Sequence, residues 1–381
     1  MATDTIMNFQ DRLADICARM REEKLALLIA LHDGAHFIEK PNPVMALTGF
    51  KAIGASAAVL DCDGSVALIV TPAWEAERAT QSCPGVTVIG AGDVVDGLVG
   101  LLGRERSWAD DVGIAGLSFL PSGLASRVPG GARPARQADQ VVFDAARIKT
   151  DEEITFAREA GRIAELGYRR LLATARPGMT EDQLALELKW HMKKLGAEDN
   201  FLLLCAGPHN RAVQPSTGRK LAPGDIVLAE ITPSYRGQLT QICRTVTIGD
   251  PPDELVVKYD LVVQAMNQGI AAAQPGVPMS EVCRAINAVL EARGYGQYCH
   301  PPHIRRRGHG LGFSSTRPGD VSLDNATLLE PGMLFMIHPN QYLPETGYLL
   351  CGEPVLMTDD GAEVLTQERS SLGVVGCANS E

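Results

Sequence analysis

The pattern of apolar and polar positions changes character along the chain. Residues 8–31, NFQDRLADICARMREEKLALLIAL, begin with a helical period in which Leu13, Ile16, Cys17 and Met20 share one face. The spacing then closes into the apolar run LALLIAL, which predicts a buried strand. Residues 55–70, ASAAVLDCDGSVALIV, set two apolar runs around Asp61-Cys62-Asp63-Gly64, a hairpin pattern. AWEAERAT predicts a helix, and GVTVIG and VGIAG predict two more strands. Strands alternating with helices describe a small α/β domain. It ends in a Pro/Gly-rich stretch that reads as loose, LPSGLASRVPGGARPARQADQ.

A second region opens with a long helical pattern, where Thr150 followed by Glu153 is a capping-box signature. Arg176-Pro177-Gly178 breaks it, and Thr180 and Asp182 start a second helix. The chain then turns strand-rich in FLLLCAG, DIVLAEITPSY and LTQICRTVTIG. Two helical stretches, ELVVKYDLVVQAMNQGIAAA and MSEVCRAINAVLEARG, come before the last strands, and the tail GVVGCANSE is expected to fray. The expected organisation is an α/β domain over 1–145 and a larger α+β domain over 146–381.

Composition narrows the class without naming it. Of 381 residues, 45% are apolar and 21% charged, enough for a sizeable core. The formal net charge of −11 argues against nucleic acid or an anionic membrane as partner, because both need a basic footprint. No apolar run approaches the ~18 residues of a membrane span, and the first twenty residues carry early acids instead of an apolar signal core. The nine scattered cysteines include no CxxC and read as reduced thiols. A cytoplasmic location follows as the expectation.

Candidate chemistry lies in polar residues that interrupt the late apolar strands. Glu230 sits in DIVLAEITPSY, Gln241 and Arg244 in LTQICRTVTIG, His309 between glycines in RRRGHGLGF, His338 at the end of MLFMIHPN, and Glu353 in YLLCGEPVLMT. One such residue alone fits an exposed strand face or a satisfied core histidine. Two carboxylates, two histidines and an amide together point to a site, since buried charges must converge on each other or on an ion.

Six ordered motifs carry a family resemblance from about Arg147 to Gln367. These are RIKTDEEITFAREAGRIAE, APGDIVLAE, YRGQLTQICRT (similar to G-Y-x-x-D-x-T-R-T), GHGLG (G-H-G-I-G), EPGMLFMIHP (E-P-G-M-x-x-T-I-E-P) and GEPVLMTDDGAEVLT. The chain resembles the pita-bread superfamily of methionine aminopeptidase, aminopeptidase P, prolidase and creatinase. The N-terminal ALTGF resembles Y-L-T-G-F of the smaller domain found in prolidase, aminopeptidase P and creatinase. The resemblance implies a C-terminal pita-bread domain, a homodimer and a small-molecule substrate.

Metal-dependent members hold two divalent ions through Asp, Asp, His, Glu and Glu. The corresponding positions here are Glu230, Gln241, His309, His338 and Glu353. Four family carboxylates would balance two divalent ions, but only Glu230 and Glu353 remain. The expectation is therefore a site without the dinuclear centre and without a cofactor. Glutamate then acts as base, and His309 or His338 as an imidazolium acid whose pKa adjacent carboxylates raise. The alternative is one zinc, manganese or iron ion on Glu230, His309, His338 and Glu353.

Other departures concern substrate binding. The second peptidase histidine, seven positions after His309, is replaced by Thr316, and Gln214 or Val213 fills the slot of another. His209 in GPHN, Gln241, Arg307 and Arg317 are candidate substrate contacts, with Arg305 and Arg306 beside them, and arginine suits a carboxylate. His300 and His303 read as peripheral and Arg244 as support. Phe50 and Lys51 are candidates for contacts across a dimer interface. The expected function is creatinase-like hydrolysis of a C–N bond in a small, carboxylate-bearing substrate. Its alternatives are a one-metal Xaa-Pro dipeptidase or aminopeptidase, a lyase on the same fold, and a non-catalytic binding protein.

Overall fold

The computed structural model describes residues 10–103, 109–128 and 136–376. The chain divides into two compact units, Met1–Glu152 and Glu153–Glu381.

The first unit begins with α1 (Gln10–Glu22), which buries Leu13, Ile16, Cys17 and Met20, the face its periodicity predicts. Then follow β1 (Leu27–His32), α2 (Pro43–Thr48), β2 (Ser56–Asp61), β3 (Val66–Val70), α3 (Ala76–Ser82), β4 (Thr87–Gly90), α4 (Val94–Leu102), β5 (Val112–Ala115), α5 (Ser122–Ala125), β6 (Arg136–Gln137) and α6 (Asp139–Ala145). Their sheet runs β4-β3-β2-β1-β5-β6. The β1–β2 and β2–β3 pairs are antiparallel, and β5 joins β1 in parallel. A strand buried along all six residues, as β1 is, carries no alternation, which explains its uninterrupted apolar run.

Two short helices escape the periodicity. In α2, Asn42 caps the amide of Met45 at 2.9 Å and Pro43 fills the first turn, while Gly49 at φ 65° closes the helix. Asp93 caps α4 through the amides of Val95 and Asp96. The stretch expected to be loose instead contains α5, β6 and the start of α6, with residues 129–135 outside the described residues.

The second unit contains α7 (Asp151–Thr174), α8 (Glu181–Lys194), β7 (Asn200–Gly207), β8 (Ile226–Tyr235), β9 (Gln238–Leu239), β10 (Ile242–Ile248), α9 (Asp253–Ala272), α10 (Met279–Glu291), β11 (Gly308–Gly310), β12 (Leu334–Ile337), β13 (Gln341–Leu343), β14 (Gly347–Leu349), β15 (Glu353–Thr358), β16 (Gly361–Val364) and β17 (Gly373–Val375). Thr180 and Gln183 form a reciprocal capping box at the start of α8. One sheet runs β17-β10-β8-β7 with β9 on β8, a second β11-β12-β15-β16, and β13–β14 is a hairpin. Cys243 and Gly352 exchange backbone hydrogen bonds of 3.2 Å and join β10 to the entry of β15.

The core between α7, α8 and the first sheet buries Leu171, Leu184, Leu188, Leu204, Ile231 and Val246. At roughly 1.5–3 kcal/mol per fully buried aliphatic side chain, it anchors the strands that carry the polar residues. The start of the tail expected to fray is instead ordered, because Gly373–Val375 pairs in parallel with β10; its remainder, residues 377–381, lies outside the described residues.

Candidate active site

Strand register decides which of the polar residues meet. Glu230 on β8 lies directly opposite Cys243 on β10, and directly paired residues share a sheet face. The Cys243 thiol donates to Glu230 Oε1 at 3.9 Å and receives the Gln241 side-chain amide at 3.5 Å. Asn340, just before β13, donates to Glu230 Oε1 at 3.3 Å and touches Cys243 Sγ at 3.9 Å. The amide of Cys351 holds its oxygen at 3.1 Å.

Burial pushes the Glu230 carboxyl up to about 7, against smaller opposing effects from Arg306, Asn340 and Cys243. Burial, with Glu230 next in importance, raises the Cys243 thiol well above its usual value, so it is a proton donor to the carboxylate. Tyr348 on β14 is raised for the same two reasons, which places another protonated group near Glu230.

The two histidines form a second pair. His309 on β11 is opposite Met336 on β12, and His338 follows β12 directly. Their ring centroids are 5.1 Å apart with planes at 61°. His309 Nδ1 donates to the Gly310 carbonyl at 2.9 Å, which places a proton on Nδ1 and leaves Nε2 as the outer nitrogen. The His338 amide donates to the Arg307 carbonyl at 2.8 Å, while its Nδ1 has no partner among the described residues. Gly352 lies underneath: a Cβ built there would sit 2.6 Å from His338 Cβ and 2.5 Å from Met336 Cε.

These surroundings overturn the expected imidazolium at His338. His338 is depressed well below its ordinary pKa, first by burial and then by His309. The reason is register. Glu353 pairs with Ile337 while His309 pairs with Met336, so the glutamate and His309 belong to opposite faces of the sheet. Glu353 instead meets Arg244 at 3.0 Å in an ion pair 1% and 0% exposed. It also accepts from Ser370 N and Oγ, both at 2.7 Å, and from Thr366 Oγ1 at 2.6 Å. Arg244 is the structural support expected of it; Glu353 does not join the histidines.

The substrate candidates also redistribute. Arg307 is 1% exposed and spent on internal acceptors, so it is not open to a substrate carboxylate. Arg306 pairs with Asp320 at 3.0 Å, and its charge acts on both Glu230 and His338. Arg317 is half-buried and donates to the Thr316 carbonyl at 3.3 Å; the Thr316 hydroxyl meets Ser314 Oγ at 2.7 Å. His209 is exposed, bonds the Pro344 carbonyl at 3.0 Å and stands edge-on to Tyr342. His303 also stacks on Tyr342, with ring centroids 5.8 Å apart. His300 and Arg305 are exposed. Phe50, expected at an interface, is buried in its own unit with the Arg78 guanidinium 4.2 Å from its ring centre.

Sequence reasoning missed Cys243 and Asn340. Each stands two residues after a residue that was singled out, Gln241 and His338, and that spacing was the available signal.

Comparison with known proteins places this geometry. The sequence model of metallopeptidase family M24 matches residues 155–361. An uncharacterised peptidase of Bacillus subtilis is 30% identical over 228 residues, 59% of this chain and 64% of that protein. A Xaa-Pro dipeptidase of Pyrococcus furiosus is 25% identical over 339 residues, 88% of this chain and 94% of the relative. The chain thus spans just under two thirds of the first curated relatives, at 64% and 65%. Among solved structures, the prolidase of Pyrococcus horikoshii aligns with a TM-score of 0.81 at 22% identity, covering 95% of this chain and 100% of that one. The X-Pro aminopeptidase of Thermotoga maritima aligns at 0.82 and 22%, covering 95% and 99%. At that identity the likeness is one of fold, the pita-bread domain behind a smaller N-terminal domain.

A family of metallopeptidases overturns the expectation of a protein without a cofactor. The residues at the five positions where the resemblance implies ligands nevertheless do not fit a two-ion centre. The imidazole of His338, kept neutral by burial, and that of His309 beside it are suitable donors. Gln241 brings no charge, and Glu353 has both oxygens engaged by Arg244, Ser370 and Thr366. No group of three or more His, Cys, Asp and Glu suited to an ion is gathered among the described residues. With more than half its length matched and its strands in that fold, the chain belongs to metallopeptidase family M24.

Proposed function

We propose that the chain hydrolyses the peptide bond of small Xaa-Pro substrates, as a dipeptidase or aminopeptidase. The relatives named Xaa-Pro dipeptidase and X-Pro aminopeptidase support this reading over the creatinase-like one. One observation carries the chemistry: Glu230 is held at about 7 by burial, so both of its forms are populated near neutrality. The carboxylate takes a proton from the attacking water, and the carboxylic acid returns it to the departing amine nitrogen. Asn340 and Cys243 both donate to Oε1 and fix its direction. Arg306, whose charge is felt by Glu230 and His338, suits the carboxylate end of a dipeptide. A homodimer in the cytoplasm belongs to the same reading, and sedimentation velocity checks the assembly.

The test compares Ala-Pro and Leu-Pro with Leu-Ala and creatine, after chelation and with manganese, zinc or iron restored. The expected result is turnover of the Xaa-Pro peptides that Glu230→Gln abolishes. Turnover of creatine without any Xaa-Pro peptide overturns the reading.

A further inference from the structure

Arg307 directly precedes Gly308 and His309, and its side chain is 1% exposed. A guanidinium at that depth is costly unless a carboxylate or a full set of acceptors faces it. Here Nε donates to Asn287 Oδ1 on α10 at 2.7 Å. Nη1 donates to the carbonyls of Pro339 and Asn340 and to Gln341 Oε1, the last at 3.0 Å. Nη2 has no partner among the described residues. The groups whose charge favours its protonated form are Cys299, Cys283 and Tyr348, two thiols and a phenol.

The acceptors of Nη1 all lie on one short turn, residues 339–341, which leads from His338 into Gln341, the first residue of β13. The backbone makes the same connection, since the Arg307 carbonyl accepts from the His338 amide at 2.8 Å. That turn carries Asn340, whose amide reaches Glu230 at 3.3 Å. The planar fork explains the choice of residue. It meets Asn287 on one edge and the turn on another, which a lysine's single ammonium cannot reproduce.

We infer that Arg307 is a positioning residue: its guanidinium holds the 339–341 turn so that Asn340 bonds the Glu230 carboxylate. The inference rests on the reading of Glu230 as the proton-transfer group. It adds a cause for that group's orientation, and it replaces substrate binding as the role of Arg307.

The test uses the full chain with Arg307→Lys, Arg307→Met, Asn340→Ala and the double variants, assayed on Ala-Pro. Arg307→Met is expected to lower kcat about 100-fold at little change in KM, as a small misplacement of a reacting group does. Arg307→Lys recovers part of the loss. In the Asn340→Ala background neither substitution lowers kcat further, because the path is already cut. Losses that multiply in that background overturn the inference, since a residue that only supports the fold acts independently of Asn340. Crystal structures of Arg307→Lys and Asn340→Ala supply a readout that needs no turnover. In Arg307→Lys the Asn340–Glu230 contact lengthens; its persistence at 3.3 Å overturns the inference even if the peptidase reading fails. Should Arg307→Met not fold, Arg307→Lys carries both arms.

Discussion

Glu230 and Glu353 are the two carboxylates at the ligand positions that the sequence resemblance implies, both in one unit, and the fold treats them oppositely. Glu353 is fully enclosed with both oxygens filled by a guanidinium, two hydroxyls and an amide. Among the described residues Glu230 has only an amide and a thiol as donors, and burial keeps a proton on it up to about 7. A carboxylate whose oxygens are fully engaged by fixed donors is structural. One that is buried with few donors is available for proton transfer. Partner count, not residue type, separates the two.

The comparison can be broken in four ways, from the largest expected effect down. Glu230→Gln should lower kcat/KM on an Xaa-Pro dipeptide by about a thousandfold, within the range for losing a general acid–base group, while leaving the thermal midpoint unchanged or higher. A loss below tenfold would remove Glu230 from the chemistry. Glu353→Ala should destabilise the protein by about 3 kcal/mol in urea titration, because it strands the buried Arg244 charge. A cost near zero would return Glu353 to the pool of free ligands.

The third test is pH. The folded pKa of Glu230, about 7, lies above its ordinary 4.5, so the folded state binds more protons between them. The stability it contributes is complete below 4.5 and is lost as pH rises through 7. Urea midpoints of metal-stripped protein should therefore fall over that window, and Glu230→Gln should flatten the fall. Smallest, Thr366→Val should cost about 1.5 kcal/mol by removing one donor to the Glu353 carboxylate. No cost would mean that the enclosure of Glu353 is redundant.

Much of this was legible in the chain, because the elements announce themselves by period. The α1 face, the β2–β3 hairpin and the strands around Glu230 and His338 fall where the apolar spacing puts them. Parity across strands was not legible. The string GEPVLMT shows a glutamate entering a strand, but only pairing with Ile337 shows that it faces away from His309. The same gap turned Arg307 into a substrate contact on paper, since a basic run looks solvated until its partners are known. The pKa directions failed for a related reason. Charge counting assumed that imidazoles and carboxylates meet, and in the folded chain the imidazoles meet each other. The short caps of α2 and α4 were readable from Asn42-Pro43 and Asp93, but too brief for a periodicity argument.

The absent side chain at Gly352 has a consequence for how this site can change over generations. A Cβ there would collide with Met336 Cε and with the Cβ of residue 338, an atom every residue but glycine carries, so the glycine is demanded whatever side chain stands at 338. Position 338 is therefore free to exchange its side chain in single steps while 352 stays glycine, so the route from this site to a differently liganded one runs through 338 and not through 352.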